Sequence, residues 1–174
     1  VVAGNIGSEL RSKYGVVGHN VNLTGRIESC TVGGQILASP ATVAAASIEV
    51  LTGKGVAVAL KGVADTLELL EILGVGLPYD LLLGVKNVSW QPVSPPFTLR
   101  LSLMSGKKLA GLQLSVQLIA MAAERLQLLS EEPLPLLADV RLEGLIESCY
   151  AKVTEIQGDR YTLTVTSASD VLRD

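Results

Sequence analysis

Histidine and cysteine are almost missing from this chain, which has one histidine, His19, and two cysteines, Cys30 and Cys149, in 174 residues. A zinc site of imidazole and thiolate ligands at short spacing has no material here. Two cysteines so far apart build no disulfide framework, and they read as reduced, partly buried thiols in a cytoplasmic setting. The Glu-Ser before each cysteine is coincidental, because the flanking sequences are otherwise unrelated. Basic runs are also lacking, and the formal net charge is -3. That excludes nucleic acid as a main partner, since a phosphate backbone is bound through a basic patch. No signal peptide or apolar span is present: the longest apolar stretch, Leu109 to Leu129, carries Gln113, Gln117, Glu124 and Arg125. This segment therefore makes no membrane contact. With 48% hydrophobic and 18% charged residues, the chain has ample material for one ordinary domain or two small ones.

Helical and strand patterns alternate in the first part. Val1 to Ile6 reads as a strand end, with Gly4 and Gly7 permitting tight backbone geometry. Ser8 to Lys13 reads as a loop or hairpin tip, Tyr14 to Val17 as a short strand, and Val21 to Cys30 as a helix closed by Gly33-Gly34. Gln35 to Ala38 is a further strand. Ser39 and Pro40 form a good helix start, serine as N-cap and proline at the first helical position, with the helix over Ala41 to Ala46. Ile48 to Leu51 and Val56 to Leu60 are strand-like around a turn at Gly53-Lys54-Gly55, and Thr66 to Leu73 closes the unit. Gly74 to Pro96 is punctuated by glycine and proline and reads as a linker that packs through Leu81, Leu82, Leu83 and Trp90. From Phe97 the period is two. Phe97, Leu99, Leu101 and Leu103 form one alternating set, Leu112, Leu114, Val116 and Leu118 a second, and Tyr161, Leu163 and Val165 a third. That rhythm predicts a small antiparallel barrel or sandwich, closed by a short helix over Ser167 to Arg173. The expected organisation is 1–73, a linker at 74–96, and an all-β unit at 97–174.

The chemistry concentrates in Val16-Val17-Gly18-His19-Asn20-Val21-Asn22-Leu23-Thr24-Gly25-Arg26-Ile27-Glu28. On a helix, Asn22 and Arg26 at i and i+4 share one face, about one turn apart. An amide that donates and accepts, beside a guanidinium fork, suits a sugar and an anionic phosphoryl group. Around it stand Val1-Val2-Ala3-Gly4-Asn5-Ile6-Gly7-Ser8, then Gly34-Gln35-Ile36-Leu37-Ala38-Ser39-Pro40, then Leu60-Lys61-Gly62. Together these blocks resemble, in order and interval, the C-terminal portion of the class III nucleotidyl cyclase catalytic domain. The resemblance covers about the first 73 residues.

The resemblance implies a truncated ferredoxin-like cyclase half for the first part; with the small antiparallel β-barrel read from the period-two strands after it, the expected fold class is α+β. The family joins the ribose 3′-oxygen of a nucleoside triphosphate to its α-phosphorus and expels pyrophosphate, at a dimer interface. One subunit contributes two metal-binding aspartates; its partner contributes an asparagine and an arginine that orient ribose and stabilise charge on the phosphate. Asn22 and Arg26 match that pair and are the expected catalytic residues. Lys61 matches a lysine near the triphosphate, with Val63 where a second basic residue often stands. Gly15 falls where many members carry the residue that reads the purine edge; lacking a side chain, it leaves ATP against GTP open. His19 reads as an exposed turn histidine. The implied cofactor is magnesium or manganese in the intact parent, none being bound by this segment. Asp65, Asp80, Asp139 and Asp159 lie in the wrong context to replace the paired aspartates. The chain opens inside a family block, so the expectation is a fragment, inactive alone, of a parent that acts on a nucleoside triphosphate, with a homodimer as its assembly.

The second unit loosely resembles a PilZ-type barrel, from strand rhythm and the stretch from Pro133-Leu134-Pro135-Leu136 to Leu142. Such domains bind cyclic di-guanylate through an arginine-rich motif and an Asp/Asn-x-Ser-x-x-Gly turn. Arg100 is alone here, and Ile119 to Glu124 has no Asn, Ser or Gly at the expected turn. A degenerate barrel used for packing or partner contact is the expectation. Two alternatives stand beside the cyclase fragment: a non-catalytic, cyclase-derived regulatory or protein-interaction module, and a ligand-sensing PilZ-like protein.

Overall fold

Two successive runs of residues that favour extended backbone build the first strand pair. In the computed structural model, β1 (Val2–Ser8) and β2 (Arg11–Val17) run antiparallel, Val2 opposite Val17 and Ser8 opposite Arg11. The structure describes residues 1–8, 11–59, 66–84, 88–106, 108–145 and 148–167. Most of the expected loop at Ser8 to Lys13 is thus strand. Gly7 makes the difference: its φ of 134° and the Arg11 carbonyl, which a Cβ on Gly7 would overlap, require glycine. The hairpin stands as a two-stranded sheet of its own.

Helix α1 (His19–Glu28) starts two residues before the expected position and ends two before it. No Ser, Thr, Asp or Asn marks its start; Gly18 stands at the N-cap without a side-chain bond. At the other end Ser29 is the C-cap, and the Cys30 amide bonds the Ile27 carbonyl at 3.0 Å, tightening the last turn. Ile27 and Cys30 form its buried side. Strand β3 (Leu37–Ala38) leads to α2 (Pro40–Ala44), where the Ser39 hydroxyl accepts a hydrogen bond from the Thr42 amide at 3.2 Å, the cap that the sequence predicts. Strands β4 (Val50–Ala59), β5 (Thr66–Val75) and β6 (Leu81–Leu82) complete a four-stranded sheet in the order β3-β5-β4, with β6 also on β5. The turn expected at Gly53-Lys54-Gly55 is instead an irregularity within one strand: pairing with β5 jumps between Thr52 and Gly55. Glycine absorbs the one extra residue as a bulge rather than reversing the chain. Leu69 is the fully buried side chain of this sheet.

The chain divides into two compact units between Leu83 and Gly84. In the second unit, β7 (Gln91–Ser105), β8 (Lys108–Ala122), β9 (Arg125–Leu129), β10 (Asp139–Glu143), β11 (Cys149–Gln157) and β12 (Arg160–Ser167) form a closed barrel. The antiparallel circuit runs β10-β11-β12-β9-β8-β7 and returns to β10, so each strand has a hydrogen-bonded neighbour on both sides. The period-two leucines explain the closure: Leu99, Leu101, Val116, Leu118, Leu128 and Leu163 point inward and are buried together with Val140, Leu142 and Val153. The segment read as a linker contributes β6 and the first residues of β7. Pairing of β7 with β8 lapses between Pro92 and Phe97, where Pro95 and Pro96 have no N–H to donate. Ser167 belongs to β12, and the rest of the expected closing helix lies outside the described residues.

Candidate functional site

The hairpin runs into α1 through Gly18, which sets Gly15 four residues before the helix and Asn22 in its first turn. The Asn22 amide bonds the Gly18 carbonyl at 3.1 Å, so this residue closes that turn. Its side chain is exposed, while Arg26, one turn further on, is half-buried. Spacing of four on a regular helix places both side chains on one face. Arg26 lies in the last turn, where a cation meets the negative end of the helix dipole. Its carbonyl accepts the Ser29 hydroxyl at 2.6 Å and the Cys30 thiol at 3.5 Å, and the Thr24 hydroxyl bonds the Asn20 carbonyl at 2.8 Å. These local bonds hold the turns that carry the two side chains. Chemically, the face offers an amide for a hydroxyl and a permanent cation for a phosphoryl oxygen.

Gly15 lies in β2 directly opposite Gly4. Ile6, diagonal to it on the same face, fills the space beside it. The hairpin register, with glycine facing glycine, brings Ile6 there. Lys61 lies outside the described residues. His19 is the exposed first residue of α1 rather than a turn residue.

The acids do not gather. Asp80 sits exposed in a turn after β5, its amide bonded to the Gly76 carbonyl at 3.0 Å. Asp139 is tied to Lys152 at 2.7 Å in the second unit, and the Asp159 carbonyl takes the Ser130 amide at 3.1 Å. Asp65 is outside the described residues. No group of three or more His, Cys, Asp or Glu among the described residues is placed to hold a metal ion. The described residues therefore offer no such donor set for the divalent ion that the resemblance implies.

On the barrel, Arg100 is not isolated: its guanidinium lies 3.8 Å from Glu143, which also takes Arg141 at 3.1 Å. One carboxylate thus offsets charge on both guanidinium groups. Lys152 keeps only 5% of its side chain exposed and also donates to the Leu137 carbonyl at 3.4 Å. A shallow cleft of about 290 Å³ opens between Met104, Asp139, Tyr150 and Thr166. Cys149 is fully buried in the barrel core, and burial pushes its thiol above the ordinary value of 9.0. No helix among the described residues is long and apolar enough to cross a membrane.

Residues 1–70 match the family model of the Adenylate and Guanylate cyclase catalytic domain. The crystal structure of the guanylyl cyclase Cya2 is similar to part of the chain, with 52% identity over 47% of this chain and 42% of that one, at a TM-score of 0.44. The chain thus spans less than half the length of that cyclase structure. Among curated proteins nothing matches.

Proposed function

We propose that residues 1–73 are the C-terminal part of a class III nucleotidyl cyclase catalytic domain, within a parent that makes a cyclic purine nucleotide for intracellular signalling. The observation that carries this reading is the family match over residues 1–70, which includes the helix bearing Asn22 and Arg26 on one face. In the reaction the ribose 3′-oxygen bonds to the α-phosphorus, the bond from that phosphorus to the bridging oxygen breaks, and pyrophosphate leaves. Asn22 orients the ribose by donating to and accepting from its oxygens. Arg26 supplies positive charge where the phosphoryl oxygens gain negative charge; removing one such preorganised donor costs a factor of about 10²–10³ in turnover. Lys61 belongs to the same reading as a phosphate-facing point charge. Magnesium or manganese, with its aspartates, comes in this proposal from sequence beyond these 174 residues, and the described residues take no metal-bound step. The hairpin and the β3-β5-β4 sheet are then portions of a ferredoxin-like half, and the assembly is a dimer with Asn22 and Arg26 facing the partner's aspartates.

The barrel is, in this proposal, a degenerate PilZ-like module for packing or partner contact. Arg100 and Arg141 share Glu143, and the sequence carries neither the arginine-rich motif nor the Asn, Ser and Gly of the turn with which such domains bind a guanine dinucleotide. Calorimetry with cyclic di-guanylate should give no saturable heat, and saturable binding would return the barrel to a sensing role.

The test is complementation. The isolated chain, with magnesium or manganese and either purine triphosphate, should form no product above background. Mixed with a class III cyclase subunit that retains both aspartates but has its own Asn and Arg replaced by alanine, it should restore cyclic nucleotide formation. Product from the isolated chain, or none from the mixture, contradicts the proposal.

A further inference from the structure

Strand β12 leaves the barrel at a cleft. In its pairing with β11, Val165 is opposite Ala151 and Ser167 is opposite Tyr150, so Thr166 between them has no partner and forms a bulge. A bulge bends the strand that carries it and re-aims its side chain. Thr166 is one wall of the cleft of about 290 Å³, and Met104, Asp139 and Tyr150 are others. The chain after Ser167 therefore starts beside Tyr150, at the rim. Met104 gives this cleft a thioether, and Tyr150 gives it a ring that is partly exposed. Its charged side is Asp139. The buried Lys152 holds that carboxylate at 2.7 Å, yet the Asp139 side chain keeps 56% of its surface in water.

Residues 168–174 lie outside the described residues, and their sequence complements the cleft. Ala168, Val171 and Leu172 are apolar, and Arg173 is a cation. Val171 comes four residues after Ser167, a reach of about 13 Å of extended chain, so Val171-Leu172 can return to a cleft that begins at Thr166. Two aliphatic side chains over Met104 and the Tyr150 ring take apolar surface out of water. Arg173 follows at once, with charge opposite to that of Asp139. We propose that this cleft is the docking site of the chain's own segment 168–174, with Val171 and Leu172 against Met104 and Tyr150, and Arg173 beside Asp139. A short tether supplies a millimolar effective concentration, which lets a small contact hold within one molecule. The barrel then fills its own cleft, and a partner that uses the cleft has to displace the segment. None of this depends on the cyclase reading of residues 1–70.

The experiment is methionine ε-methyl NMR of the whole 174-residue chain, whose two methionines are Met104 in the cleft and Met121 packed against the barrel core. A nuclear Overhauser effect should join the Met104 methyl to methyls of Val171 or Leu172. Removal of residues 168–174 should shift the Met104 signal and leave that of Met121 in place. Leu172→Asp in the full chain should bring Met104 to the same position as the removal does. Arg173→Ala should move it only part of the way, with docking weakened by about threefold, because an exposed ion pair is worth little. A free peptide of residues 168–174, added at millimolar concentration to the shortened chain, should return the Met104 signal toward its first position. A Met104 methyl that ignores removal of the segment, or that shows no contact with Val171 or Leu172, overturns the proposal. So does movement of Met121 together with Met104, since the segment then supports the core rather than filling the cleft. A Met104 signal that reverts on dilution puts another copy's segment in the cleft and overturns it as well.

Discussion

The two units of this chain solve opposite problems. The barrel gives each strand two neighbours and gathers its leucines into one core, with Leu101, Leu128, Val140, Leu142 and Leu163 fully buried. The hairpin leaves large apolar side chains in water on both faces, Tyr14 at 70% exposure and Val2 at 74% among them. In the first unit the buried apolar side chains described are Ile27, Cys30 and Leu69. Yet Asn22 and Arg26, the pair on which the proposed nucleotide chemistry rests, lie there. Closure gives the barrel stability and leaves little for a ligand to add, whereas an open apolar hairpin beside an exposed Asn and a half-buried Arg has surface that gains by being covered.

That contrast is breakable at named residues. The largest effect expected is on turnover: in the mixed assembly, Arg26→Ala should lower the rate of cyclic nucleotide formation by about 10²–10³, measured by product quantification. The largest effect on stability should come from the barrel. Leu163→Ala, at a fully buried site, should cost about 3 kcal/mol in urea denaturation of the second unit's signal. It should leave the nucleotide-induced shifts at Asn22 unchanged. A smaller effect follows from Cys149. Because burial raises the thiol above its ordinary value of 9.0, the folded barrel disfavours the thiolate. The stability this confers is full below that value and is lost as pH rises through the higher folded pKa. Alkaline denaturation should therefore steepen above about pH 9, and Cys149→Ala should remove that added slope. The smallest effect is at the exposed Asn22: Asn22→Ala should change stability by no more than about 0.5 kcal/mol, while product formation in the mixed assembly falls sharply.

Much of the architecture was legible, and what was not has local causes. Period-two leucines announced β7, β8 and β12 because each faces a single core. Strand β11 escaped notice because its pairing slips at Tyr150 and Ala151 and again between Val153 and Glu155, which breaks the alternation that a reader counts. Glycines at 53 and 55 signalled a reversal but served a bulge, since the residues around them still find partners on β5. The Ser39-Pro40 start was read correctly because the cap is written in side chains. The start of α1 was misplaced because Gly18 caps without one. Of the site, the shared face of Asn22 and Arg26 followed from spacing alone. The place of Ile6 beside Gly15 did not: it depends on the register that sets Ser8 opposite Arg11.

Hydrogen exchange on the whole chain, with and without a purine triphosphate, tests the division of labour most directly. Binding at the hairpin and α1 should slow exchange across residues 2–28 and leave the barrel strands β7 to β12 unchanged. Slowed exchange confined to the barrel, with the hairpin and α1 unaffected, would place the nucleotide in the wrong unit and contradict the account.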